Sequence, residues 1–188
     1  MNAVAKDSKA PPAKQTMSSV ETLRANARRK IEEGAVTAGY AANREQVLKL
    51  LNEALATEIV CMLRYKRHYF MATGVHAEGV AAEFLEHATQ EQEHADQIAK
   101  RIVQLGGEPD FSPDTLTKRS HAEYVPGKDL IDMVKEDLIA ERIAIDSYKE
   151  MIEVIGNDDT TTRRMLEWIL SVEEEHADEL SGLLDAGR

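Results

Sequence analysis

The placement of the five prolines limits this 188-residue chain more than any other feature of its sequence. None lies within 43–105 or 128–188, so two long stretches lack the residue that most strongly breaks a helix. Turn residues divide each stretch once, with TGVHAEG at 73–79 and GNDD at 156–159. Apolar residues recur at three- and four-residue steps along the pieces. The sequence therefore predicts four long helices.

Capping and breaking residues set the approximate ends of these helices. Asn43 is a good N-cap for the first helix, with Gln46 three residues later. Gly106 and Gly107 end the second, and Gly156 ends the third. The predicted bounds are 44–73, about 78–105, about 128–155 and about 160–184.

The connections between the helices predict the topology. The two outer connections are short, which makes their helices antiparallel neighbours. The middle connection, 106–127, contains three prolines and could extend about 66 Å, which exceeds the roughly 40 Å length of each helix. The sequence thus predicts an all-α four-helix bundle with one long crossover between the second and third helices, the ferritin-like arrangement.

The first 42 residues have a different composition from the rest. Residues 1–17 are predicted to be disordered, and 18–33 to form a short helix with Ser18 and Glu21 as a capping box. We therefore divide the chain into a basic N-terminal extension, 1–42, and a bundle, 43–188. The extension carries Lys6, Lys9, Lys14, Arg24, Arg28, Arg29 and Lys30.

Net charge and cysteine content exclude several classes of protein. The net charge of -11 argues against extensive wrapping of the chain in nucleic acid and suits metal cations. Cys61 is the only cysteine, so the sequence predicts neither an internal disulfide nor a cysteine-ligated metal. The N-terminus lacks the apolar core of a secretory signal, and no apolar run reaches membrane-spanning length. We expect a cytoplasmic protein with no membrane partner.

A repeated hexapeptide carries the candidate chemistry. EQEHAD at 91–96 and EEEHAD at 173–178 each place a Glu three residues before a His. On a helix these positions share a face, so Glu91 and His94, and likewise Glu173 and His176, can bind one metal ion together. One such pair could be a solvated helix face, because the pattern is short.

Two further glutamates complete the pattern. Glu58 lies in LATEIVCML on the first helix and Glu141 in LIAERIAI on the third, 33 and 32 residues before Glu91 and Glu173. A Glu among apolar residues is costly to bury without a partner. Each half thus predicts a helix with one embedded Glu followed by a helix with Glu-x-x-His. This set suits two iron or manganese ions in a bundle core.

Two tyrosines follow the embedded glutamates at helical spacing. Tyr65 lies seven residues after Glu58, and Tyr148 lies seven after Glu141. Either phenol could donate a hydrogen bond to a carboxylate ligand, or supply an electron during oxygen reduction. Both could also be ordinary core tyrosines.

Residues 44–184 resemble bacterioferritin and the bacterioferritin-like members of the Dps group. LNEALATEIVCMLRY, EQEHAD, DLIAERIAI and ILSVEEEHADEL carry the resemblance. It implies that Glu91 and Glu173 bridge two irons, with Glu58 and His94 completing one and Glu141 and His176 the other. It also implies ferroxidase activity, in which O2 or H2O2 oxidises Fe(II) and a hollow homo-oligomeric shell stores the ferric mineral.

The chain departs from bacterioferritin in two places. Bacterioferritins carry a haem-ligating methionine directly after the Glu of the second-helix motif, where this chain has Gln92, which argues against haem. Only twelve residues follow His176, and Gly182 and Gly187 are among them, so we expect no fifth helix of the 24-subunit type. We therefore predict a twelve-subunit cage rather than a 24-subunit one.

Other functions remain open at this point. A manganese catalase would use the same ligand types, whereas a rubrerythrin would need more cysteines than Cys61. A DNA-protecting nucleoid protein could use the basic extension. His68, His76, His87 and His121 fall in no motif.

Overall fold

The computed structural model describes residues 16–75 and 77–186, and all regular structure in these ranges is helical. The predicted four-helix bundle is confirmed. No helix in these ranges is both long and apolar enough to cross a bilayer. The helices are α1 (Val20–Asn26), α2 (Arg44–Met71), α3 (Ala77–Gln104), α4 (Leu116–Arg119), α5 (Leu130–Ile155) and α6 (Thr160–Ala186), with a 3-10 turn at Ile31–Glu33.

The long helices begin and end within two residues of their predicted positions. The Asn43 side chain accepts a hydrogen bond from the Gln46 backbone N–H at 3.2 Å. At the end of α3, the Gly107 N–H donates to the Ile102 carbonyl at 3.0 Å, and Gly106 has a φ of 74°. This left-handed turn provides a hydrogen-bond donor for a carbonyl in the last turn of α3, and its positive φ favours glycine.

The crossover runs along α2 and sets the direction of α5. Arg119 donates to the Asn52 carbonyl at 2.9 Å, and further along Arg64 donates to the Glu123 carbonyl at 2.9 Å. Asn52 and Arg64 are about 18 Å apart along the helix. The crossover therefore carries the chain to the end of the bundle where α3 began, so α5 runs parallel to α3, as predicted.

The apolar core lies in two parts along the bundle. On α3, α5 and α6 the predicted ligands fall between these parts, and on α2 Glu58 lies within the first part, so apolar side chains shield all of them from water. One part is built from residues such as Leu51, Leu55, Ile98, Ile102, Leu166 and Ile169. The other includes Tyr65, Phe84, Ala88, Val134 and Leu180.

The helix of the N-terminal extension differs from the prediction in length and in its cap: the sequence predicts it over 18–33, but α1 ends at Asn26. Ser19, rather than Ser18 with Glu21, caps α1 and accepts from the Thr22 N–H at 3.2 Å. Helix α1 buries no residue in the single chain, so no packing contact fixes where it starts. The predicted disordered segment lies almost entirely within 1–15, outside the described residues, and so do Lys6, Lys9 and Lys14.

Candidate metal centre

The six predicted ligands converge in the middle of the bundle although they come from four helices. Each is at most 1% exposed. Their ligand atoms form two groups that share Glu91 and Glu173, and the atoms within each group lie within 4.8 Å of one another. Two shared carboxylates between two groups are the geometry that bridging ligands require. The six are Glu58, Glu91, His94, Glu141, Glu173 and His176.

The first group surrounds one nitrogen of His94. Its Nδ1 atom lies 3.1 Å from Glu58 Oε2 and 2.9 Å from Glu173 Oε1. Glu91 Oε2 lies 3.8 Å away. One imidazole nitrogen therefore faces three carboxylates, a donor set that suits Fe(II) or Mn(II).

The second group surrounds His176 and is more open. His176 Nδ1 lies 3.7 Å from Glu91 Oε1, 3.6 Å from Glu173 Oε2 and 3.9 Å from Glu141 Oε2. These separations are too long for hydrogen bonds. Donors that each lie about 2.1 Å from one shared ion are roughly 3 to 3.5 Å apart, so the spacing is close to that of a metal site.

Several buried atoms of the two groups lack hydrogen-bond partners within the described residues. They are Glu91 Oε1, Glu141 Oε2, both carboxylate oxygens of Glu173, and His176 Nδ1. Burying unpaired carboxylate oxygens is costly. Two divalent cations would balance four carboxylates and two neutral imidazoles, so the donor set fits a pair of such ions.

Without cations, the pKa values favour protonation of some of these buried carboxylates. Burial raises the pKa of Glu58 to about 8, and the charge of Glu91 adds to this shift. Burial likewise raises the pKa of Glu173, helped by the charges of Glu58 and Glu141. Burial alone would also raise the pKa of Glu141, but interactions with nearby His176 and Glu173, and the hydrogen bond from Tyr65, outweigh it and lower that pKa.

Burial acts on the pKa values of the two imidazoles in the opposite direction, but their neighbours reverse its effect. Burial alone would lower the pKa of His94, but the nearby carboxylates of Glu173, Glu58 and Glu91 outweigh it and raise the pKa to about 12. The pKa of His176 rises for the same reason. In the metal-free centre, protons on these groups therefore offset carboxylate charge that cations would otherwise balance.

Each of the two tyrosines donates a hydrogen bond to a glutamate of the opposite half of the site. Tyr65 donates a hydrogen bond to Glu141, and Tyr148 donates one to Glu58. Each phenol thus contacts the glutamate of the other half, because antiparallel α2 and α5 place these positions side by side. Burial raises both tyrosine pKa values well above the ordinary one, so both phenols stay protonated.

The outer nitrogens of the two histidines have unequal surroundings. His176 Nε2 lies 2.7 Å from Gln90 Oε1, a contact that fixes the ring. His94 Nε2 has no hydrogen-bond partner in the described part of the chain. Its ring meets the indole of Trp168 edge-on, with centroids 5.3 Å apart.

A buried ion cluster beside the centre was missed by the sequence reasoning. Asp137 accepts from Arg64 Nε at 2.7 Å, and its other oxygen lies 2.7 Å from His68 Nδ1. His68 Nε2 donates to the Pro126 carbonyl at 3.1 Å. The cluster joins α2, α5 and the crossover. The sequence feature that could have predicted this cluster is the pair Arg64 and His68, which lie four residues apart on an otherwise apolar helix face.

A second missed group surrounds His87. His87 Nε2 lies 2.9 Å from Glu179 Oε2 and 3.8 Å from Glu83 Oε1. His87 lies one helical turn before Glu91, which could have pointed to it. His121 is exposed, and His76 lies outside the described residues.

Comparison with known proteins agrees with this geometry. The ferritin-like domain family matches residues 48–188. A bacterioferritin from Mycobacterium bovis is 31% identical over 146 residues, covering 74% of this chain and 84% of that protein.

Two solved structures extend the comparison. The dodecameric thioferritin of Bacteroides fragilis, a bacterioferritin-related protein, is 30% identical, with a TM-score of 0.75 over 79% of this chain and 90% of that one. Desulfovibrio desulfuricans bacterioferritin, described with its diiron site, is 25% identical, with a TM-score of 0.65 over 76% and 80%. With this fold, this cluster and these matches, the chain belongs to the ferritin-like family, among relatives of bacterioferritin.

Proposed function

We propose that this protein is a cytoplasmic ferroxidase that stores and detoxifies iron. It oxidises Fe(II) at a di-iron site within each subunit and holds the ferric product inside a closed homo-oligomeric cage. One observation carries the proposal. Four carboxylates and two imidazoles meet in a sealed core, and their unpartnered atoms face one another.

The substrate is two Fe(II) ions per subunit, held by six side chains. Glu91 and Glu173 bridge them, because both belong to each donor group. Glu58 with His94, and Glu141 with His176, complete the two coordination sets. Each ion then has three carboxylates and one imidazole in reach, which suits iron and also manganese.

The redox step balances with O2 or H2O2 as the oxidant. Two Fe(II) ions supply two electrons, which reduce H2O2 to two hydroxide ions, or O2 with two protons to H2O2. Tyr148 and Tyr65 hold Glu58 and Glu141 in place by hydrogen bonds. We assign Tyr65 a part in the oxidation step as the residue that orients Glu141; the two electrons come from the two Fe(II) ions.

Storage requires assembly, because one bundle cannot enclose a mineral. The structural neighbour from Bacteroides fragilis is a dodecamer. We propose that this chain also forms a dodecamer, with a complete site in each subunit. The 18–33 segment would then lie on the surface of the shell.

Removal of the bridging ligands tests the proposal. Glu91→Ala with Glu173→Ala should abolish rapid Fe(II) oxidation, while the helical circular dichroism spectrum stays unchanged. The matched control is Glu93→Ala with Glu175→Ala, which removes exposed carboxylates from the same two hexapeptides. Oxidation at the wild-type rate in the first variant would refute a ferroxidase site here. Elemental analysis of the purified protein separates iron from manganese, and a catalase assay tests the manganese alternative.

DNA protection is a second candidate, which rests on the basic extension. Arg24, Arg28, Arg29 and Lys30 are all exposed. Binding through these side chains would rest on phosphate contacts and fall steeply with salt. A gel shift should compare the full chain with a chain that begins at Asn43. The absence of a shift at low salt with either protein would exclude this function.

A further inference from the structure

The group around His87 has the composition of a third cation site. Glu83 and His87 come from α3 and Glu179 from α6, and one ligand atom from each lies within 4.8 Å of the others. Two carboxylates and an imidazole are donors that Fe(II), Mn(II) and Zn(II) accept. Burial raises the pKa of Glu83, and the negative charge of nearby Glu179 adds to this shift.

His87 itself is not explained by the protein contacts alone. Its side chain is 1% exposed, and its Nδ1 atom has no hydrogen-bond partner among the described residues. A buried polar atom without a partner is uncommon and points to a functional requirement. The imidazole is thus buried with part of its bonding capacity unused, while its Nε2 atom faces two carboxylates.

The group also links the surface with the buried pair of metal positions. The Glu179 side chain is 42% exposed and the Glu83 side chain 32%, whereas the six central ligands are nearly inaccessible. The His87 ring stacks on the His176 ring, with centroids 4.0 Å apart. A cation bound by Glu83, His87 and Glu179 therefore sits directly next to the His176 half of the centre.

We infer that Glu83, His87 and Glu179 form a third divalent-cation site, at which Fe(II) binds before it passes to the His176 half of the di-iron centre. The transfer part rests on the proposed ferroxidase function, whereas the cation site does not. During this passage the ion leaves Glu83 and Glu179 and binds Glu141, Glu91 and Glu173. It therefore remains bound to carboxylate throughout. No electron is transferred in this step.

A count of bound Zn(II), which is not oxidised, tests the site by itself. Calorimetric titration of the metal-free cage should give three ions per subunit for the wild type. Glu83→Gln with Glu179→Gln should give two. The matched control, Glu93→Gln with Glu175→Gln, removes two exposed carboxylates from the same helices and should still give three. Two ions in the wild type, or three in the double variant, would overturn the site.

The passage is tested by Fe(II) oxidation at limiting and saturating Fe(II). In the Glu83→Gln, Glu179→Gln variant, the Fe(II) concentration for half-maximal rate should rise about tenfold or more, because direct ligands are lost. The maximal rate should stay unchanged, since the central ligands are intact. An unchanged half-saturation concentration would refute the transfer role. A wild-type protein that binds three Zn(II) but oxidises no Fe(II) would instead refute the proposed function and leave the third site standing.

Discussion

Binding of two divalent ions should release about four protons from the metal centre. In the metal-free protein, His94 and His176 hold extra protons because carboxylates surround them. Glu58 and Glu173 hold protons because burial raises the pKa of each. All four must lose a proton to act as ligands. Zn(II) should therefore displace about two protons per ion at pH 7.

The size of the pH effect follows from this count. Each proton released per ion changes the apparent binding constant about tenfold per pH unit, or about 1.4 kcal/mol. Two protons per ion give about a hundredfold per pH unit. The direction of the pH effect follows because these groups are protonated below their pKa values. Protons then compete with the metal ions, and a lower pH weakens metal binding. Affinity should fall from pH 7 to pH 6, and its rise should slow above about pH 8, where Glu58 is already ionised.

Proton release can be measured directly. Zn(II) is titrated into weakly buffered metal-free protein, in the Glu83→Gln, Glu179→Gln background so that only the buried pair is counted. Calorimetry in two buffers of different ionisation enthalpy gives the same number independently. Glu58→Gln cannot lose that proton and should release one fewer per subunit. Fewer than about one proton per ion, or equal affinity at pH 6 and pH 7, would refute the charge balance described for the centre.

Three further outcomes are expected. Tyr148→Phe removes the hydrogen bond to Glu58 and should slow Fe(II) oxidation about 10- to 100-fold without unfolding the bundle, as stopped-flow absorbance would show; an unchanged rate would make this tyrosine a packing residue only. Asp137→Ala leaves Arg64 buried without its partner and should lower the free energy of unfolding by about 3 to 5 kcal/mol in denaturant titration, with or without metal; a loss under about 1 kcal/mol would contradict it. Light scattering should report a mass of about twelve chains of 21.0 kDa, and a mass near 24 chains would refute the dodecamer.

The helices could be predicted because their limits are local. Asn43, Gly106 and Gly156 act through contacts within a few residues, so the sequence specifies the start of α2 and the ends of α3 and α5 closely. Helix α1 shows the opposite case. Two adjacent serines can cap it, and it buries no side chain, so local sequence alone did not distinguish Ser18 from Ser19.

The ligand set could be found because it is repeated, whereas its surroundings are not. The two Glu-x-x-His motifs share one spacing, and each half adds one embedded Glu. Which phenol contacts which glutamate depends on the packing of α2 against α5, and no short-range pattern encodes it. The same holds for Asp137, whose partners Arg64 and His68 lie on another helix, 73 and 69 residues away.

The two halves of the centre have the same types of ligand but different surroundings. This difference bears on the order in which ions reach the two positions. His176 is held by Gln90 and stacks on His87, so it is fixed and lies next to the third group of donors. His94 has no partner for its outer nitrogen and faces Trp168. An ion that arrives through Glu83 and Glu179 thus meets the rigid half first. On the proposed route the ion reaches the His176 position before the His94 position, because Glu91 and Glu173 belong to both donor groups and lie between them; we therefore expect the two positions to fill in that order.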